Sequence, residues 1–298
     1  MNDHAKGVLL TTVGVLLVVP DSLFVRLIQA DPLVVAFWRG LIAGAGVLAF
    51  VWVTQGVGLL HALRQTGWAG WVYAVLIGTT TPAFVLAVEN TSVANVVFIF
   101  ASMPVFAAAF SRVFLGEPVS TRMVLTMVAV ISGLAVIAYG SRSSTLASWR
   151  GDVWALYVSA AFAAALTVAR QARATSLVPT LPFAYLGAAL LLGLVVSPVS
   201  AWRGQWHWIL AHGACIGAAS CLLALGPRYI SSAEVALLVL LESVLAPVLV
   251  WWVIGEDPGP LALVGGAIVV GALLVSNGVH LLELRRQRRT ERLNDHAD

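Results

Sequence analysis

The residues of this sequence with the clearest capacity for chemistry are ionisable side chains inside long apolar segments. Glu242 is flanked by leucines and valines, in a segment that carries no other charge nearby. A charged side chain at the centre of a bilayer costs about 2.5–3.5 kcal/mol, so such residues usually face the protein interior or a watery cavity. We therefore expect Glu242 either to meet a substrate or a proton, or to be a structural carboxyl bonded to a neighbouring helix.

Asp21 and Arg39 are the next candidates. Asp21 follows Pro20, and a proline frees a backbone carbonyl and breaks a helix, an irregularity that lines substrate sites in transporters. Arg39 lies early in the next apolar segment. It is predicted to pair with Asp21 or Asp31 as a structural or gating ion pair, and both Asp21 and Arg39 are candidates for binding substrate.

Polar residues in two further segments could form a ligand-binding surface. Asn95, Phe98 and Ser102 recur at three- and four-residue spacing, which places them on one helix face. One aromatic ring and two hydrogen-bonding groups suit an amphipathic metabolite, although small polar residues also hold membrane helices together. Thr80 precedes Pro82 in the middle of its segment, where its hydroxyl is predicted to line a cavity or to bond to backbone freed by the proline.

Composition identifies the chain as a membrane protein. Of its 298 residues, 60% are hydrophobic and 10% are charged, whereas about a quarter of the residues of a soluble domain are charged. Cys215 and Cys221 are six positions apart and lie on different helix faces, which argues against a disulfide or a metal site. The histidines show no metal-binding spacing, and we expect no metal and no cofactor.

Ten apolar stretches follow one another along the chain. Each has roughly 20 residues, enough to cross about 30 Å of hydrocarbon as a helix. Runs this long and continuous exclude the strands of a membrane barrel. The fold class is therefore an all-α membrane protein with ten transmembrane helices. The segments, numbered 1 to 10, are 7–29, 32–54, 68–88, 91–115, 119–140, 151–172, 181–201, 206–226, 231–254 and 260–282.

A short motif ends one segment in each half of the chain. Gly116-Glu117 follows segment 4, and Gly255-Glu256 follows segment 9. The glycine can adopt the left-handed conformation that ends a helix, and the carboxylate is then expected near the positive amino end of the next helix. Duplicated membrane units are typical of secondary transporters. The predicted domains are a first five-helix repeat at 7–140, a linker at 141–150, a second repeat at 151–282 and a basic cytoplasmic tail at 283–298.

Five helices in each repeat would insert the second copy upside down relative to the first. With the amino terminus in the cytoplasm, twelve of the 17 lysines and arginines fall on the cytoplasmic side and five on the other. Both termini are therefore predicted to be cytoplasmic. The basic tail is explained by cytoplasmic retention and by anionic lipid, and we expect no nucleic-acid partner.

These features together resemble the EamA-type family of the drug/metabolite transporter superfamily. The resemblance covers nearly the whole chain, and the residues that carry it are Arg39, Pro104, Gly116-Glu117, Leu241-Glu242 and Gly255-Glu256. It implies two inverted five-helix repeats that rock around a midplane cavity formed mainly by segments 3, 4, 8 and 9, with segments 1 and 6 as gates. One departure is Ser243, where family members commonly carry a proline.

The leading prediction is a secondary transporter of a small polar or amphipathic metabolite such as an amino acid, in the inner membrane of a bacterium. The resemblance favours export. Import of a vitamin or similar metabolite is one alternative, and a lipid-modifying membrane enzyme is another. Coupling to protons through Glu242 is a further hypothesis, and no catalytic residue is expected. The predicted substrate-binding residues are Asp21, Arg39, Thr80, Asn95, Phe98, Ser102 and Glu242.

Paired glycines mark segments 5 and 10. Gly133 and Gly140 in the first, and Gly271 and Gly278 in the second, are predicted to form packing faces of a scaffold. The apolar outer sides of these two segments are compatible with a homodimer.

Overall fold

The computed structural model describes residues 3–56, 58–116, 118–141, 147–172, 175–225, 229–230 and 232–294. Across these residues the regular structure is helical, and no strand is present. A short 3-10 helix, Val178–Thr180, precedes one of the α-helices. The α-helices are α1 Asp3–Val18, α2 Asp21–Leu27, α3 Pro32–Gln55, α4 Gly58–Asn90, α5 Val93–Phe100, α6 Met103–Phe114, α7 Thr121–Ser141, α8 Trp149–Gln171, α9 Leu181–Gly193, α10 Val199–Leu225, α11 Ser232–Ile254 and α12 Pro260–Asn294.

Length and composition suit most of these helices to a bilayer. Within the described residues, eight stretches are long and apolar enough to cross a membrane, and two shorter apolar helices, Val178–Gly193 and Leu238–Ile254, accompany them. Many large apolar side chains point outward, among them Leu194, 78% exposed, and Trp252, 82% exposed. Such a surface is expected where a protein faces lipid rather than water. The eight stretches are Asp3–Leu27, Pro32–Thr54, His61–Asn90, Val93–Phe114, Thr121–Ser141, Trp149–Gln171, Ala201–Leu225 and Pro260–Val279.

Some helix ends differ from the sequence prediction. Helix α12 continues to Asn294, so a single helix runs into the region predicted as a tail. Ser141 ends α7 and Trp149 begins α8, which leaves residues 142–146 of the predicted linker outside the described chain. Glu117 of the first Gly-Glu motif also lies outside it.

Two of the apolar segments are broken into two helices each. Helix α1 ends at Val18, and α2 begins after Pro20, which has no backbone N–H to continue the helical hydrogen bonds. Helices α5 and α6 are separated at Ala101 and Ser102, just before Pro104. The first break places Asp21 at the start of a new helix inside the bundle, which is the irregularity that the sequence predicted.

Helices from the two halves of the chain pack against each other. Helix α4 packs on α8 and α9, α7 on α12, α3 on α9 and α10, and α1 on α10 and α11. The buried core therefore lies largely between the halves rather than within each of them.

Glycines allow the closest of these approaches. A Cβ atom on Gly133 of α7 would lie 2.8 Å from the carbonyl oxygen of Gly265 in α12, so no larger residue fits without movement. Gly140 also contacts α12, whereas a Cβ on Gly271 or Gly278 would have no neighbour within 4 Å among the described residues of other helices. The predicted packing role is confirmed for Gly133 and Gly140, and among the described residues it is wrong for Gly271 and Gly278.

Candidate functional site

A buried charged cluster joins α2, α3 and α10. The carboxylate of Asp21 accepts hydrogen bonds from Nε of Arg39, 3.0 Å from Oδ1, and from Nη2, 2.7 Å from Oδ2. Nε2 of His212 lies 2.5 Å from the same Oδ1. An ionised carboxylate only accepts hydrogen bonds, so Nε2 is the nitrogen of His212 that carries the proton. We call Asp21, Arg39 and His212 the Asp21 cluster.

Aromatic rings support both hydrogen-bonding partners of Asp21. The guanidinium of Arg39 lies 5.4 Å from the ring centroid of Phe84, within the range of a cation–π contact. The ring of His212 packs on Phe24, with 5.6 Å between centroids. All three members of the Asp21 cluster are at least nine-tenths buried. The cluster is therefore held by hydrogen bonds and by packing, inside the bundle and away from the ends of α3 and α10.

Glu242 lies near the middle of α11, beside the Asp21 cluster. Its side chain is buried, with 8% of the residue exposed, and its charge interacts with those of Asp21 and Arg39. Helix α11 packs against α2, which carries Asp21. No hydrogen bond joins the Glu242 carboxyl to any residue that the structure describes. Arg39 neutralises Asp21 directly, whereas Glu242 has no such partner.

An open apolar cavity of about 250 Å³ lies at the surface along the carboxyl-terminal half of α11, where Val248 and Trp252 are exposed. Leu245 and Leu249 follow Glu242 at helical spacing, so the cavity and the carboxyl share one face of the helix. The site thus offers charged groups and an apolar surface side by side. The residues that line the cavity are Val19, Leu245, Val248, Leu249 and Trp252.

A second buried cluster joins α4, α5, α7 and α8. Oδ1 of Asp152 accepts hydrogen bonds from Oγ1 of Thr91 at 2.7 Å and from Nδ2 of Asn95 at 3.1 Å. Oδ2 accepts one from Oγ of Ser141 at 2.5 Å, and this hydroxyl also accepts from Nδ2 of Asn95 at 2.9 Å. We call these four residues the Asn95 cluster. Their polar groups are directed at one another, as in a helix-to-helix connection.

The second Gly-Glu motif makes contacts across the two halves of the chain. Gly255 has φ +71°, the left-handed conformation that the sequence predicted for the end of α11. Oε2 of Glu256 lies 2.9 Å from Nε of Arg26, and Oε1 accepts a hydrogen bond of 2.7 Å from the backbone N–H of Val93. Nη2 of Arg26 donates to the carbonyl of Thr91 at 2.9 Å. The hydrogen bond to Val93 is at the amino end of α5, and not of the helix that follows Glu256.

The structure brings three of the predicted site residues together and separates the other four. Asp21, Arg39 and Glu242 share one region, and the predicted pairing of Arg39 with Asp21 is present. The remaining four make contacts typical of helix packing, and a binding role for them stays a prediction. Asn95 belongs to the Asn95 cluster, the Phe98 ring packs on α12, the Ser102 hydroxyl lies 3.2 Å from that of Ser159, and the Thr80 hydroxyl donates within its own helix.

Two charged or titratable residues of these clusters escaped the sequence analysis. His212 is the histidine farthest inside an apolar segment, and that position was the available signal, since polar groups at membrane depth usually have a partner. Asp152 lies in the first turn of α8, where an acidic residue is ordinary, so its sequence position carried no signal.

The duplicated motif, the all-helical bundle and the buried charges have a common explanation. The model of the EamA-like transporter family matches residues 5–139 and matches again at residues 149–278. The chain belongs to the EamA-like transporter family. The resemblance predicted from sequence is thereby confirmed, and this EamA-family protein is a multi-pass integral membrane transporter.

Individual relatives agree with this assignment. An "Uncharacterized transporter" of Archaeoglobus fulgidus is 23% identical over 86% of this chain and 90% of its own length. A "Probable terminal-alkyne amino-acid exporter" of Streptantibioticus cattleyicolor is 28% identical, over 60% of this chain and 62% of that protein. A protein of known crystal structure superposes with a TM-score of 0.64 over 92% of this chain and 96% of its own. At 19% identity, that likeness shows the fold alone.

Proposed function

We propose that this EamA-family transporter exports a small amphipathic metabolite with a cationic group, such as an amino acid, by alternating access. The observation that carries the proposal is the Glu242 carboxyl, which is buried at mid-helix and has no hydrogen-bonding partner in the described chain. Buried carboxylates are costly unless they are paired. If substrate or a proton supplies the missing partner of the Glu242 carboxyl, a role in binding explains why the protein keeps a carboxyl at this costly position.

The charges beside Glu242 define what the site attracts. Asp21 and Arg39 neutralise each other through two hydrogen bonds, so an ionised Glu242 leaves the region with a net negative charge. This negative charge favours binding of a substrate ammonium group, or of a proton in its place. The guanidinium of Arg39 uses Nε and Nη2 in its hydrogen bonds to Asp21, and its remaining N–H groups are available to a substrate carboxylate. The open apolar cavity farther along α11 offers an apolar surface to the side chain of an amphipathic substrate.

The proposed architecture follows from the packing of the two halves. The ten crossings comprise the eight long stretches and the two shorter apolar helices, arranged as two inverted repeats with both termini in the cytoplasm. Two findings support it. The family model matches twice, and the principal contacts join helices of opposite halves, as expected when two copies rock around a shared site.

Export is supported by one relative, which is named as a probable amino-acid exporter. The low identity leaves substrate and direction to be measured. Proton coupling through Glu242 and a bacterial inner-membrane location are parts of the same proposal. Import of a vitamin or similar metabolite is the alternative that the same experiment addresses.

The test is counterflow in proteoliposomes that contain the purified full-length protein. Vesicles preloaded with unlabelled amino acids, vitamins or nucleosides are diluted into labelled members of the same pool, with and without a pH gradient. We expect saturable uptake of labelled amino acid and uphill accumulation when a gradient is applied. Counterflow of vitamins alone would support the alternative. No counterflow from any pool, with correctly inserted protein, would contradict the proposal.

A further inference from the structure

We propose that Arg26, Thr91, Val93 and Glu256 form a latch that closes one end of the bundle and must open during each transport cycle. We call this group the Glu256 latch. The inference concerns the transport cycle rather than the substrate, and it gives the second Gly-Glu motif a role beyond ending a helix.

The latch joins three separate parts of the chain. Arg26 belongs to the last turn of α2, Thr91 and Val93 flank the junction of α4 and α5, and Glu256 follows α11. Three of these residues lie in the first family match and Glu256 lies in the second. The contact therefore connects the two halves directly, at the end of the bundle where α2, α4 and α11 finish and α5 begins.

The latch is held by an ion pair and by hydrogen bonds in which one partner is charged. The charged groups of Arg26 and Glu256 form an ion pair of 2.9 Å, and each residue makes one hydrogen bond to backbone, at 2.9 Å and 2.7 Å. Charge-assisted hydrogen bonds are roughly twice as strong as neutral ones, and the amino end of α5 favours a carboxylate. The hydroxyl of Thr91 also donates to Asp152, which ties the latch to the Asn95 cluster.

The position of the ion pair allows it to open. The side chain of Arg26 is 19% exposed, and that of Glu256 is 8% exposed. Arg26 is thus partly exposed, so water can reach its guanidinium when the pair separates, which lowers the penalty of leaving that charge unpaired. The Asp21 cluster, by contrast, is fully enclosed. The latch is thus an interaction between the halves that can break and reform at low cost.

A reporter residue lies directly under the latch. Val97 is one helical turn beyond Val93 on α5, is 1% exposed, and packs against Val19 and Ala246. When the latch opens, water and small reagents should reach this position. When the latch is closed, the side chain at position 97 is shielded.

The experiment measures thiol labelling at that position. Val97→Cys is introduced into a full-length variant whose native cysteines are replaced, Cys215→Ala and Cys221→Ala, and the protein is reconstituted in nanodiscs. Glu256→Gln and Arg26→Gln should each raise the maleimide labelling rate at least about tenfold, which corresponds to a change of about 1.4 kcal/mol in the closed-to-open equilibrium. The double variant should add little to either single one, because both remove the same interaction.

Two controls separate a latch from a general loss of structure. Glu89→Gln makes the same charge change at the same end of the bundle, on an exposed carboxylate, and should leave the labelling rate unchanged. In a separate variant, Thr11→Cys is introduced as a second reporter and Val97 is left unchanged. Thr11 is fully buried in α1, toward the opposite end of the bundle. Its labelling should not rise when the latch is removed.

Two outcomes would overturn the proposal. In the first, the labelling rate of Val97→Cys is the same with and without Glu256→Gln or Arg26→Gln. In the second, both reporters become accessible together, which would indicate a structural contact whose loss loosens the whole bundle. Labelling needs no substrate, so either result is independent of whether the proposed amino-acid transport is observed.

Discussion

Arg39 and Asp21 face each other through two hydrogen bonds, 3.0 and 2.7 Å long, inside an otherwise apolar bundle. The planar guanidinium matches the two oxygens of a carboxylate in this arrangement, which lysine cannot reproduce. The two residues therefore act as one neutral unit, and Glu242 is left as a carboxyl with no hydrogen-bonding partner among the described residues.

Replacing one residue of this pair should destabilise the protein more than replacing both. We expect Asp21→Asn to lower the free energy of unfolding by about 3–5 kcal/mol, because it leaves the guanidinium buried without its counter-ion. The double variant Asp21→Leu/Arg39→Met should be less destabilised than Asp21→Asn alone. Thermal denaturation in detergent measures both, and a double variant that is the less stable of the two would contradict this account.

Glu242 should be needed for transport but not for folding. Glu242→Gln removes the charge without breaking a described hydrogen bond, so we expect an unchanged or higher Tm. Counterflow should fall at least about tenfold, roughly the effect of one lost charged contact, and the response to a pH gradient should disappear.

The matched control for Glu242 is Glu89→Gln, an identical change on an exposed carboxylate. It should transport at the parental rate. If Glu242→Gln transports at the parental rate under a pH gradient, Glu242 neither binds substrate nor couples transport to protons.

His212 should position Asp21 through its Nε2–H group. His212→Gln keeps an amide donor near that point, whereas His212→Leu removes the donor and leaves an oxygen of Asp21 without one of its hydrogen bonds. We expect the leucine variant to lose about 1–3 kcal/mol of stability and the glutamine variant to lose less. Denaturation midpoints of the two purified variants measure the difference, and equal midpoints would show that the hydrogen bond contributes little.

The glycines of α7 and α12 give a prediction about packing. Gly133→Ala places a methyl group 2.8 Å from the Gly265 carbonyl oxygen, so the two helices must move apart and the Tm should fall. Gly271→Ala adds a methyl group where no described residue of another helix lies within 4 Å, and alanine is favoured over glycine in a helix by about 1 kcal/mol. Its Tm should stay the same or rise. A loss of stability on Gly271→Ala alone would contradict the close-approach argument.

Much of the architecture was predictable because it depends on local properties of the chain. Long apolar runs, the break at Pro20, the left-handed glycine at position 255 and the duplicated Gly-Glu motif are all visible in the sequence, and each has a local physical cause. The family followed from the same features. Even Glu242 and Asp21 were identifiable, because a charge in an apolar segment is costly wherever the segment packs.

Arg39 was predictable as a partner of Asp21, but the other partners of these residues were not, because they come from distant parts of the chain. Asp21 meets His212 across 191 positions, and Val93 meets Glu256 across 163. In uniformly apolar helices, the sequence pattern does not fix how each helix is rotated about its axis. The sequence thus determined which groups had to be buried and where helices had to end. Only the packing of one half against the other decided that His212 would bond to Asp21, that Asn95 would bond to Asp152, and that Glu242 would have no partner among the described residues.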